Sequence, residues 1–199
     1  MPKPYSQNVE TDKEAARLRL LSAGIGDRYL EMKLSDFGEL GKRWLEVFSP
    51  EHIKEAKPRV RQGFLAYLNG IGSREFAHTL AAGLLLVFGA RVECLHLSDL
   101  SDILDNREAD RIAELTGCDL LVLSEFLNTC AIPLTPRSAS RVESFLLERT
   151  DTAGKSLILV GDGALQTKWW TPRLLSRIKD TFTQDSIAQY AYPTSAQVF

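Results

Sequence analysis

Between Phe64 and Val87 the residues FLAYLNGIGSREFAHTLAAGLLLV run from an apolar stretch, through Gly70-Ile71-Gly72, into a segment with Phe76, Leu80, Leu84 and Leu85 at helical spacing. A strand, a glycine turn and a helix in that order can bind phosphate. Glycine lets backbone N–H groups converge on the anion, and the helix N-terminus adds positive potential. The complete phosphate cradle reads G-x-x-x-x-G-K-[ST], with the lysine on the outer phosphates and the hydroxyl on Mg²⁺. The eight matching residues here are YLNGIGSR, so Tyr67 replaces the first glycine, Ser73 the lysine and Arg74 the hydroxyl residue. The stretch is either a degenerate cradle built on Gly70, Gly72, Ser73 and Arg74, or an ordinary turn that never held a phosphate. An inward swing of Arg74 would partly replace the lysine, although a guanidinium is bulkier than an ammonium.

Other reactive side chains offer less. His78 and His96 have no partner histidine at metal-ligand spacing and read as structural, so no metal site is expected. Ser73, Glu125 and a histidine would make a hydrolase triad only in name, because no G-x-S-x-G elbow supports it. Cys94, Cys118 and Cys130 form no C-x-x-C pair and read as reduced core residues. Lys54, Lys57, Arg59 and Arg61 form a short cationic cluster that reads as a solvated face or a nucleic-acid contact. Trp169 and Trp170 open a late helix, either as core residues or as a contact surface.

The elements that must position these residues follow from periodicity. A polar segment to about Thr11 is expected to be poorly ordered, and a helix is expected from Asp12 to a stop at Gly24. GIGDRYLEMKLSDF reads as an extended connector, followed by helices near Gly38 to Phe48 and Pro50 to Lys57. Strands are expected at Phe64–Leu68, Ala90–Leu97, Cys118–Leu123, Ser156–Val160 and Ile187–Tyr192. Helical patterns separate them: one or two over SDLSDILDNREADRIAELTG, one over Ser138–Glu148 and one over Pro172–Lys179. CDLLVL and SLILV are near-continuous apolar runs, as in strands covered on both faces. Alternating strands and helices predict a three-layer α/β domain with a mainly parallel sheet, whose ligands bind at the C-terminal strand ends.

With 199 residues, 44% hydrophobic and 25% charged, the chain reads as one domain with a sizeable core. No apolar run approaches the ~20 residues of a membrane span, and no secretory signal is seen, so a cytoplasmic protein without a membrane partner is expected. The net charge of −2 gives no global attraction to nucleic acid.

LLSAGIGDRYLEMKLSDF resembles the entry segment of the AAA+ helicase-loader branch, the DnaC, DnaI and IstB-like proteins, which carry an "aGIp-x-RY" element. FLAYLNGIGSREFAHTLAAGLL then falls at that family's Walker A motif, ARVECLHLSDLSDIL at its second strand, CDLLVLSEF at Walker B and SLILVGDGAL at sensor 1. WWTPRLLSRIKDTF is similar to its late arginine-bearing helix. The resemblance covers about residues 18 to 192. It implies a three-layer P-loop NTPase core over 63–199 and an N-terminal tail and helical extension over 1–62. The Phe64 strand is then expected beside the Leu157 strand, with the Leu120 and Val92 strands beyond. Ser124 and Glu125 fall on the Walker B acids, which leaves no carboxylate for Mg²⁺ and only Glu125 to position water, while Asp162 replaces the sensor asparagine. Two readings follow from the resemblance. One is a non-hydrolysing relative that binds ATP with Mg²⁺ weakly or not at all. It would act on a partner AAA+ ATPase, a replicative helicase or DNA, in replication, transposition or mobile-element biology, with a second copy of the chain as a further expected partner. In that reading Arg149, Arg173 and Arg177 make the partner contacts. The other is an active ATPase with non-consensus motifs.

Overall fold

The computed structural model describes residues 5–47, 65–70, 72–126, 134–152, 155–161, 170–181 and 183–186. Five parallel strands form one sheet: β1 (Leu65–Asn69), β2 (Val92–His96), β3 (Leu120–Ser124), β4 (Ser156–Gly161) and β5 (Thr183–Ser186), in spatial order β2-β3-β4-β1-β5. The order of the first four is the one expected. Strand β5 starts at Thr183, ahead of the expected position, and Ile187–Tyr192 lies outside the described residues, as do the Pro50–Lys57 helix and its cations.

Alternation of side chains along each strand separates two cores. Ala66, Leu68, Leu120, Val122, Ile158 and Val160 face one layer, whereas Tyr67, Leu121, Leu123, Leu157 and Leu159 face the other. Right-handed crossovers dictate which helices fill each layer. Only the step from β1 to β2 runs backwards across the sheet, so its helix α3 (Ser73–Phe88) covers the first face. The forward steps place α4 (Leu97–Asn106), α5 (Ala109–Gly117), α6 (Pro136–Leu147) and α7 (Pro172–Thr181) on the second.

A face with one crossover helix is underfilled, and the N-terminal extension fills it. Helix α1 (Tyr5–Ser22) supplies Leu20, and α2 (Gly38–Val47) supplies Trp44, edge-on to Phe76 at 5.2 Å. Helix α1 starts seven residues before the expected Asp12, and residues 5–23 contain neither glycine nor proline to stop it. The connector is not extended: it forms 3₁₀ turns at Asp27–Leu30 and Leu34–Phe37, which bury Tyr29 and are braced by the Asp36 carboxylate accepting from the Lys33 N–H at 2.8 Å. Between α1 and the first turn the chain seals the sheet edge, with Ala23 O accepting from the Cys94 N–H of β2 at 2.8 Å. Gly24 has φ +73°, and a Cβ there would stand 2.1 Å from the Cys94 carbonyl oxygen, so only glycine permits this approach.

At the opposite end of the sheet, Arg149 corrects an expectation. It is fully buried and cannot face a partner. Its guanidinium donates to the carbonyls of Leu115 (2.6 Å), Thr116 (3.1 Å), Cys118 (3.0 Å) and Ser156 (2.9 Å). The first two belong to the last turn of α5, where carbonyls have no intrahelical partner. A buried acceptor left unsatisfied costs about 1–3 kcal/mol, so Arg149→Met, which orphans several at once, should lower the urea-unfolding free energy by at least about 3 kcal/mol. A loss below about 1 kcal/mol would show that solvent or neighbouring groups replace the guanidinium with little penalty.

Candidate functional site

The sheet presents the C-terminal ends of β1, β3 and β4 to the turn before α3, where the glycine motif was expected to act. The turn is short. Strand β1 runs to Asn69 and α3 begins at Ser73, so three residues join them. Tyr67, at the first glycine position of the motif, lies within the strand opposite Leu159 and Gln184 and is 1% exposed. Residues 67–69 thus continue the ladder of β1 and are not looped around a phosphate. The tyrosine ring also lies against Gly161, where a Cβ would be 2.6 Å from its hydroxyl.

Ser73, at the lysine position, is turned inwards. Its Oγ donates to Gly70 O at 2.7 Å and lies 3.4 Å from Gly161 O, so its hydroxyl closes the turn. Gly70 has φ 100°, which suits glycine. Arg74 has not swung towards the lysine position. Its Nη2 lies 3.2 Å from His96 Nε2 at the end of β2, and a guanidinium only donates, so Nε2 accepts and the ring proton belongs on Nδ1. His96 Nδ1 is 3.3 Å from Glu125 Oε1, within ion-pair range but off the line of a hydrogen bond. The three side chains form a row across the ends of α3, β2 and β3.

Glu125 owes its place to backbone geometry. With φ 61° it adopts a left-handed conformation that non-glycine residues hold only when their surroundings impose it. The residue after it imposes it here: Phe126 donates its N–H to Val160 O at 2.9 Å, and its ring stacks on Trp170 at 4.8 Å and 9°. Trp170 is therefore a core residue, and Trp169 lies outside the described residues, as do Asp162 and Gly163. Ser124 is buried and pairs in register with His96.

ATP with Mg²⁺, the ligand implied by the resemblance, does not fit these residues. The turn offers no lysine, Ser124 offers no carboxylate, the hydroxyl of Ser73 is committed to Gly70, and Arg74 is committed to His96. Among the described residues no group of three His, Cys, Asp or Glu side chains is placed to hold a metal ion.

Behind the row lies a residue whose position sequence reading undervalued. His78, one helical turn beyond Arg74, is 5% exposed and stacks on Tyr29 at 5.0 Å and 27°. Among the described residues neither ring nitrogen has a hydrogen-bond partner. Burial, reinforced by the charges of Arg74 and Arg28, pushes its pKa down to about 4. Arg28 completes the wall. Its Nη2 donates to Tyr29 Oη at 2.6 Å and lies 3.5 Å from Glu75. The i, i+4 spacing of Arg74 and His78 was a legible signal, whereas the approach of Arg28 and Tyr29 depended on the tertiary fold.

Arg173 and Arg177 sit on α7, the first exposed and the second half-buried. The helix is anchored by the buried carboxylate of Glu143, which accepts from the Thr171 N–H at 3.2 Å and from its hydroxyl. The described residues include no helix long and apolar enough to cross a membrane.

No family model matches the chain, and no curated protein sequence matches it. Solved structures do. The DnaC helicase loader superposes with a TM-score of 0.60 at 14% identity, covering 80% of this chain and 98% of that one. AMPPCP-bound DnaA from Aquifex aeolicus gives 0.54 at 21% identity over 77% of this chain and 49% of that one. A protein described as a candidate primosome component from Streptococcus pyogenes serotype M3 gives 0.57 at 17% identity, over 81% and 88% of the two chains. The chain thus spans about half the length of the DnaA structure it matches. These are AAA+ proteins, and the likeness shows that this chain has an AAA+-type fold.

The depressed pKa of His78 sets a pH dependence. The unfolded chain binds a proton near pH 6.5 that the folded chain rejects until about pH 4, so this contribution is complete above pH 6.5 and is lost as pH falls towards 4. Between pH 7.5 and 5 the expected loss of unfolding free energy is about 2 kcal/mol. His78→Phe, which keeps the stack on Tyr29, should flatten the profile in that window. An unchanged slope in this variant would assign the dependence to other groups.

Proposed function

We propose that this chain is a non-hydrolysing AAA+-type protein that acts by binding a partner AAA+ ATPase, a replicative helicase or DNA, in replication or mobile-element biology. The carrying observation is the three-residue turn between β1 and α3, which keeps residues 67–69 in the sheet where a phosphate cradle would need a loop. The substitutions at Ser73, Arg74 and Ser124 point the same way, since the lysine charge and the metal carboxylate are separate contributions to phosphoryl transfer. The replication setting is supported by the helicase loader and the primosome component among the structural neighbours. Partner contact is assigned to α7, where Arg173 is exposed and Arg177 half-buried on a helix held by Glu143.

Calorimetric titration with ATP and Mg²⁺ should give a Kd weaker than about 10 μM, the value that corresponds to roughly −7 kcal/mol. Tighter binding with turnover would establish the active-ATPase reading instead. The double variant Ser73→Lys/Arg74→Thr restores the motif's side chains without its loop, and it should gain no ATP affinity. A gain of a hundredfold or more would show that side-chain identity, and not the committed backbone, was limiting. The Arg173→Ala/Arg177→Ala variant should fold normally and lose co-purification with a partner ATPase or helicase from the native host. Undiminished co-purification would remove α7 from the interface.

A further inference from the structure

Three large hydrophobic side chains are exposed among the described residues: Leu18 (58%), Leu21 (47%) and Val87 (72%). Scattered apolar residues are ordinary on a surface, but these three flank one groove. Leu18 and Leu21 lie one turn apart at the end of α1, on the face that continues to Ser22, and Val87 lies in the last turn of α3. Arg19 ties the two helix ends together, its Nη2 donating to Leu85 O at 2.9 Å. Beside them, at the start of β2, is an open groove of about 340 Å³. Ser22 and Ala23 line one side of it, Leu85 and Gly89 another, and Arg91 and Glu114 the far side of the sheet edge. The charges around it do not cancel. Glu93 and Glu114 are both held by Arg111, at 2.6 and 2.8 Å, and Asp119 is shared by Arg91 and Lys155, at 3.7 and 3.3 Å. With Arg19 beside them, cations outnumber carboxylates here, and the side chain of Arg91 is 69% exposed.

We propose that this groove docks an amphipathic helix of a partner protein, its apolar stripe against Leu18, Leu21 and Val87 and its acidic flank towards Arg19 and Arg91. A helix engages such a groove through apolar residues at i, i+3 or i+4 and i+7. An extended segment fits less well, because Ala23 O already takes the Cys94 N–H and leaves no continuous ladder along the edge of β2. A second copy of this chain would set two surfaces of like charge against each other. A nucleic acid would answer the arginines through its phosphates and leave the three apolar side chains uncovered. The groove lies at the end of α1 and α3 on the first face of the sheet, whereas α7 packs on the second, so the proposal does not rest on the contact assigned to α7.

The test titrates the full chain with two synthetic helical peptides of about 18 residues, long enough to hold a helix. Both carry leucine at i, i+3, i+4 and i+7, and their flanking positions are glutamate in one and lysine in the other. Fluorescence anisotropy should show saturable binding of the glutamate peptide, at least tenfold tighter than the lysine peptide, with a negative heat-capacity change by calorimetry. Leu21→Ser/Val87→Ser alters two exposed side chains, so it should keep the wild-type thermal midpoint and weaken the glutamate peptide at least tenfold. Arg91→Gln should narrow the preference between the two peptides at least threefold, and a reduced preference in high salt checks the same charge without a substitution. Absence of saturation, equal affinity for the two peptides, or wild-type affinity in the double variant overturns the proposal. Self-association of the chain in sedimentation that the double variant abolishes would give the groove to a second copy. Oligonucleotide binding that the double variant abolishes would give it to nucleic acid. Either result overturns the helix as occupant.

Discussion

The bottom of the sheet depends on one buried cation. Among the described residues Arg149 has no carboxylate within hydrogen-bond reach and is solvated by four backbone carbonyls, two from the end of α5, one from the approach to β3 and one from the first residue of β4. Burial lowers its pKa, yet an arginine starts so high that it stays charged. The carbonyls at a helix C-terminus carry partial negative charge, so the end of α5 stabilises the guanidinium while the guanidinium satisfies acceptors the helix cannot. Because the carbonyls of Cys118 and Ser156 meet on one planar group, strands β3 and β4 enter the sheet in fixed register. That register carries through to the opposite end, where Ser124, Glu125 and Gly161 emerge.

The same dependence of one end on another governs the first face. Since only the crossover from β1 to β2 runs backwards, handedness leaves α3 to cover that face, and the N-terminal extension supplies the rest. Leu20, Ala23, Ile25, Tyr29 and Trp44 belong to the same core as the strands, so the extension is part of the packing unit. The hydrogen bond from Cys94 N–H to Ala23 O occupies a donor on the edge strand, which also protects that edge from pairing with another chain. Gly24 makes the approach sterically feasible. Three residues later the turn that begins at Asp27 delivers Arg28 and Tyr29 to His78, so sealing the edge and covering that imidazole are consequences of one path of the chain.

Much of this was legible in the sequence because it rests on local pattern. Apolar runs such as CDLLVL and SLILV can only be strands with two covered faces, and the Gly-Ile-Gly turn between a strand and a helix fixes where the sheet presents its ends. What could not be read rests on meetings between distant segments. Arg149 looks like a surface residue beside Glu148, and nothing local reveals that carbonyls 31 to 34 residues earlier converge on it. The 3₁₀ turns of the connector were missed because their stability comes from burying Tyr29. Spacing gave His78 and His96 no histidine partner at metal-ligand distance in the sequence. Their relation to Arg74 and Arg28 needed the fold.

At the C-terminal end of β1, the backbone decides more than the identity of the side chains. A cradle requires its backbone N–H groups to be free of the sheet, and here the ladder with β4 and β5 continues through Asn69. Tyr67 reinforces that choice, since its ring fills the second core and lies against Gly161, where any side chain would collide with the hydroxyl. With the loop absorbed into the strand, Ser73 closes the turn and Arg74 is free to reach the far side of the helix start, over His96. The closed turn and the placing of Arg74 beside His96 thus have a common cause, the continuation of β1 through Asn69.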